Sequence, residues 1–134
     1  MQVAIKRIIR FFFFIGIILG VYVFLEPFLL EEKYVVLQSP DLPEEFQGTR
    51  IVFLTDIHHG PFFSAGRLGK LVGKVNGLRP DIILLGGDYV HRSPDYIEPC
   101  FQELKNLEAP LGVYGVLGNH DHWEGPALTR RCME

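Results

Sequence analysis

The stretch Gly48-Thr49-Arg50-Ile51-Val52-Phe53-Leu54-Thr55-Asp56-Ile57-His58-His59-Gly60 sets the terms for the rest of the chain. Residues 51–55 are an apolar, partly β-branched run of strand length, and they stop at Asp56 and His58, two metal-competent side chains two positions apart. The same construction recurs twice. Residues 82–85 run into Gly86-Gly87-Asp88-Tyr89, and residues 113–117 run into Gly118-Asn119-His120-Asp121. Between the first two runs, Leu68, Leu71, Val72 and Val75 recur at helical spacing behind Ser64, which is a candidate N-cap. Gly66, Gly69 and Gly73 weaken that helix by ~1 kcal/mol each relative to Ala, and they let it pack closely. Between the second and third runs, Ile97, Phe101, Leu104 and Leu107 predict another helix. Ser93-Pro94 stands at its start, and Pro99 makes that start irregular.

The order is β-α-β-α-β. Continuous apolar strands predict a parallel sheet buried on both faces. Right-handed crossovers then bring all three strand C-termini to one edge, where open α/β sheets bind ligands. Asp56, His58, Asp88, Asn119 and His120 therefore converge on one place, although they lie far apart in sequence. Asp-x-His alone is a weak signal, and Gly-Asp after a strand is an ordinary turn. All three motifs, in order and each after an apolar strand, are not.

Composition agrees with a folded domain that takes cations. The chain has 134 residues, 48% of them hydrophobic, with only two Cys, which excludes a disordered or disulfide-stapled chain. The net charge is -3, and without residues 1–30 the balance is ten basic against fifteen acidic residues, so no nucleic acid is expected as a partner. All five His lie in that acidic remainder.

Carboxylates mixed with imidazole suit Zn, Fe, Mn, Ni or Co and exclude a pure Ca or Mg site. Asp88 brings a carboxylate able to bridge two ions, and Asn119 brings a neutral amide oxygen. Two ions ~3.5–4 Å apart clamp a phosphoryl group and activate a water. His120 is placed to donate a proton to the leaving oxygen, with Asp121 fixing its ring. His59 and His122 are candidates for substrate contact. His91 and Trp123 are read as ordinary loop and packing residues, and Arg130-Arg131 as a solvated pair.

No residue from 11 to 25 is charged, and the apolar character extends over residues 8–30, so a single membrane-spanning helix is expected there. Lys6, Arg7 and Arg10 precede it and Glu26, Glu31 and Glu32 follow it, which keeps the N-terminus cytoplasmic and sends the rest across. Residues 1–30 are thus the anchor. Residues 31–48 are an extended linker with a short strand at 34–37, and residues 49–134 are the catalytic part.

Through Asp56-Ile57-His58, Gly87-Asp88-Tyr89 and Gly118-Asn119-His120-Asp121, the chain resembles the calcineurin-like metallophosphoesterases. Its apolar start and the stretch 48–56 look like the bacterial membrane-anchored phosphodiesterase branch, which includes proteins similar to UDP-2,3-diacylglucosamine pyrophosphohydrolase. The resemblance implies the N-terminal half of a four-layer β-sandwich, two sheets flanked by helices. It also implies a centre of two divalent transition metals, such as Mn, Fe or Zn, hydrolysing phosphodiesters or pyrophosphates, with a lipid-linked substrate and the bilayer as partners. By that likeness Asp56 and His58 bind the first metal, Asp88 bridges, Asn119 binds the second metal and His120 assists the leaving group. The family's later His ligands, including a Gly-His-x-His motif, are absent from this sequence. The chain is therefore expected to be a fragment of the enzyme. The alternative is a non-catalytic membrane protein or decayed enzyme; a nucleotide-binding module has no glycine-rich fingerprint to support it.

Overall fold

A computed structural model of the chain describes residues 2–25 and 30–134. The chain divides into two compact units, Met1–Asp41 and Leu42–Glu134.

In the first unit, helix α1 covers Gln2–Leu25. Its apolar side chains, Phe11 to Phe14 among them, are exposed along the described length. The expectation of a spanning helix is corrected here. Among the described residues no helix is long and apolar enough to cross a membrane. The physical reason lies in the distribution of charge: Lys6, Arg7 and Arg10 sit inside the helix, and the uncharged turns after them cover only about 23 Å against a ~30 Å hydrocarbon core. The single-pass topology and the sidedness rest on that span and find no support among the described residues. The far part of the expected span, residues 26–29, lies outside the described residues.

The strand expected at 34–37 does not form. Those residues are exposed and irregular. Val35 and Val36 favour extended backbone, but a strand needs a neighbour to pair with, and propensity alone does not supply one.

The second unit holds the sheet. Strand β1 (Ile51–Leu54) leads to helix α2 (Ala65–Gly77), strand β2 (Ile82–Leu85), a 3-10 turn at Pro94–Tyr96 and helix α3 (Ile97–Leu104). Strand β3 (Val113–Gly115) and helices α4 (Asn119–Glu124) and α5 (Pro126–Met133) follow. The three strands form one parallel sheet in the order β1-β2-β3, with Phe53 opposite Leu84 and Leu84 opposite Tyr114. Ser64 occupies the N-cap of α2, where its carbonyl, not its hydroxyl, accepts from Arg67 and Leu68 N–H. The Ser93 hydroxyl accepts from Asp95 N–H at 3.2 Å and starts the turn before α3, so the irregular start expected from Pro94 and Pro99 is what the chain does.

Strand alternation sends Val52, Leu54, Ile83 and Leu85 to the face covered by α2 and α3. There they meet Leu68, Val72, Val75, Ile97, Phe101 and Leu104 in one core. Gly69 of α2 faces the Glu103 carboxylate of α3, 2.9 Å from where a Cβ would stand, so the bare backbone allows the two helices to approach. The opposite face is open, as expected of one half of a two-sheet sandwich. Phe53 is 63% exposed, Leu84 37% and Tyr114 58%, so among the described residues the sheet is covered on one side only. A continuous apolar strand reads the same from sequence whether or not both of its faces have partners.

Candidate metal centre

All three strands point their C-termini at one edge, and the pairing carries on past their ends. Asp56 N–H donates to Gly87 O, His58 N–H to Asp88 O and His59 N–H to Tyr89 O. The loops after β1 and β2 therefore run side by side, and they present Asp56, His58 and Asp88 together. One donor atom from each of these three residues lies within 4.8 Å of the other two. His58 Nε2 is 3.6 Å from Asp56 Oδ1 and 3.9 Å from Asp88 Oδ2.

The backbone holding these side chains is strained at each ligand. Asp56 has φ 57°, His58 φ 47° and Asp88 φ 55°, a region that non-glycine residues visit uncommonly and that clusters at functional sites. Gly87, with φ 90°, allows the β2 loop to touch the next segment, since a Cβ there would collide with Gly118 N.

The third motif docks through hydrogen bonds to the second. His120 N–H donates to Asp88 Oδ1 at 2.9 Å, which leaves Oδ2 toward His58. Asp121 is completely buried. Its Oδ2 accepts from Asp88 N–H at 2.8 Å and Gly118 N–H at 2.9 Å, and its Oδ1 accepts from Tyr89 N–H at 2.9 Å. The bond back to Gly118 N–H caps the start of α4 from its third residue. Asp121 was expected to fix the His120 ring; its carboxylate instead accepts from three backbone N–H groups, of Asp88, Tyr89 and Gly118.

The remaining expected residues fall in varied places. Asn119 opens α4 and is exposed between the two docked neighbours. His120 packs edge-on to His58 at 4.7 Å and to Trp123 at 4.9 Å. His122 is exposed. His59 is only 4% exposed, with Nδ1 2.7 Å from Phe63 O and its ring against Tyr96, so it offers little surface to a ligand. His91, passed over as an ordinary loop residue, stands beside His58 and His120. Desolvation and the adjacent Arg92 charge hold its ring below the usual imidazole pKa. Beneath the site, burial together with the Asp121 charge raises the Tyr89 phenol, whose hydroxyl donates to Val116 O.

Two carboxylates and an imidazole from separate strand ends fit a divalent transition metal by donor chemistry. His58 Nδ1 is buried without a hydrogen-bond partner, which is unusual for an imidazole and consistent with a ring placed for a ligand.

A family model described as calcineurin-like phosphoesterase matches residues 49–132. The chain belongs to that family. The calcineurin-like phosphoesterases are metal-dependent hydrolases of phosphoester bonds, and this chain carries carboxylate and imidazole side chains grouped closely enough to hold a metal ion. It is 37% identical over 102 residues to the UDP-2,3-diacylglucosamine pyrophosphatase LpxG of Chlamydia trachomatis serovar D, covering 73% of this chain and 30% of that protein. It is 31% identical over 113 residues to the metallophosphoesterase YkuE of Bacillus subtilis, covering 82% of this chain and 40% of that one. A transmembrane protein with metallophosphoesterase domain from Danio rerio is 35% identical over 82 residues, covering 61% of this chain and 19% of the relative. The chain thus spans well under half the length of these relatives.

Proposed function

We propose that this chain contributes the N-terminal half of a dinuclear phosphoesterase site that hydrolyses phosphodiesters or pyrophosphates. The observation that carries the reading is the convergence of Asp56, His58 and Asp88 at one edge of the sheet, with Asp88 Oδ1 tied to the segment bearing Asn119 and His120. Asp56 and His58 would hold one ion, Asp88 would bridge and Asn119 would hold the second, with water or further protein donors completing both shells. Divalent ions at such a centre polarise a phosphoryl oxygen and activate the nucleophile. His120, half-buried beside Trp123, orients the leaving oxygen and gives it a proton. His59 and His122 remain the candidates for contact with the rest of the substrate, and His122 is the one with surface to offer.

The substrate is proposed to be lipid-linked and the site of action a membrane surface. Two observations support this. The relative from Chlamydia is named for a diacylated sugar nucleotide. Helix α1 is apolar around its circumference, and a helix of that kind is stable only where something apolar covers it.

The test is hydrolysis of a chromogenic phosphodiester and a pyrophosphate by the chain loaded with Mn(II), set against Asp88→Asn. Loss of turnover in the variant is expected. Equal turnover at full metal loading refutes the assignment, and no turnover by either protein favours the non-catalytic reading. Vesicle flotation with and without residues 1–30 tests the membrane surface.

A further inference from the structure

His91 follows Asp88 by three residues and takes no part in the carboxylate cluster. Yet its ring stands 5.6 Å from that of His58 and 5.1 Å from that of His120, which are themselves 4.7 Å apart. One nitrogen of each imidazole lies within 4.8 Å of the other two. The Nδ1 atoms of His91 and His120 are 3.4 Å apart. That matches the nitrogen-to-nitrogen edge of a tetrahedral zinc site, about 3.3–3.4 Å for bonds of about 2.0–2.1 Å. Three segments deliver the rings: the end of β1, the loop after β2 and the first turn of α4.

We propose that His58, His91 and His120 form a second, all-imidazole cation site that takes a borderline divalent d-block ion such as Zn(II) and overlaps the carboxylate centre through His58. Three neutral imidazoles and a water make a complete four-coordinate zinc environment. Mg(II), Ca(II) and Mn(II) prefer oxygen donors and bind such a set poorly. The imidazole site therefore discriminates against ions such as Mn(II) that the carboxylate centre accepts. Because His58 is shared, an ion among the imidazoles draws it from Asp56 and Asp88, and the same ion occupies His120. Excess zinc is then inhibitory, a consequence that rests on the phosphoesterase reading; the site itself does not.

Arg92 opposes the ion. Its Nε donates to His91 Nε2 at 3.1 Å, which holds the ring proton of neutral His91 on Nδ1, facing His120. Binding through Nδ1 requires that proton to move to Nε2 and the guanidinium to leave. The guanidinium carbon already lies 5.1 Å from the Phe62 ring while Nε holds His91, so leaving His91 need not cost it that contact.

The experiment is a calorimetric titration of the 134-residue chain with Zn(II) in saturating Mn(II), repeated with Co(II) and read by visible absorption. A zinc site that survives Mn(II) is expected. His91→Phe should weaken it by at least about tenfold, the low end of what losing even an outer partner of a ligand costs. Asp88→Asn should retain it, and Arg92→Met should tighten it. Equal zinc affinity in wild type and His91→Phe overturns the proposal, as does loss of all zinc binding in Asp88→Asn, which would put the ion in the carboxylate centre alone. Should His91→Phe fail to fold, Arg92→Met decides: unchanged or weaker binding there also overturns it. Failure to hydrolyse any phosphoester would sink the proposed function and leave the zinc titration untouched.

Discussion

Replacing Asp121 by Asn removes one negative charge and turns one acceptor into a donor, at a position with no access to water. The variant can keep its remaining oxygen toward Asp88 N–H and Gly118 N–H, which share Oδ2 in the wild type. Its amide nitrogen then faces Tyr89 N–H, donor against donor, where Oδ1 now accepts at 2.9 Å. A hydrogen bond to a charged group contributes about 1.5–3 kcal/mol, and a buried donor left unsatisfied costs about 1–3 kcal/mol. With the two surviving bonds weakened to neutral strength, the loss should total roughly 3–5 kcal/mol, at the upper end of single-residue effects. For a domain of this size each kcal/mol moves the melting temperature by about 4–8 °C, so the midpoint should fall by roughly 12–40 °C. Urea unfolding followed by far-UV circular dichroism, with the slope compared between the two proteins, measures the loss directly. A loss under about 1 kcal/mol at unchanged slope, the worth of one ordinary neutral bond, would refute the clamp. It would return Asp121 to the role of steadying the His120 ring.

Three other outcomes are expected. Gly87→Ala should destabilise by about 2–5 kcal/mol, combining overpacking of about 1–3 kcal/mol with left-handed backbone cost of about 1–2 kcal/mol, and should lower metal affinity in parallel; an unchanged melt contradicts the contact with Gly118. Leu68→Ala should cost about 2–5 kcal/mol in chemical unfolding, since Leu68 is fully buried between sheet and helices. Burial pushes the Cys100 thiol up to about 12, and it sits against Tyr89 O, so iodoacetamide at pH 8 should label half-buried Cys132 first and Cys100 only after unfolding. Labelling of both at one rate in the native protein would contradict that packing.

The strands were legible where residue type and partner agree. Residues 82–85 read as a strand and are one, because β2 has a neighbour on each side. The run at 113–117 was read too long. Strand β3 ends at Gly115, although Val116 N–H still reaches Leu85 O, since an edge strand loses regular geometry first. The metal-competent cluster at Asp56, His58 and Asp88 was legible because topology alone brings strand ends together. Two features at the site were not. The partners of Asp121 are backbone N–H groups, which every residue carries and no sequence advertises. The place of His91 depends on the path of a loop that pairs Val90 with His59, and nothing in residue type marks that path.

Asp56, His58 and Asp88 all hold left-handed backbone that glycine would adopt without strain. At Asp56 and His58 mutation to glycine relieves the backbone while deleting a donor, whereas at Asp88 it would also remove the acceptor of His120 N–H. A screen that rewarded heat resistance alone would drift toward those replacements and yield a sturdier, inert protein. Purifying pressure on the chemistry would act against it at all three positions at once. The conformational cost at these residues is thus set against the direction it gives their side chains, and directed evolution of this chain should couple every thermal selection to a readout of bound metal.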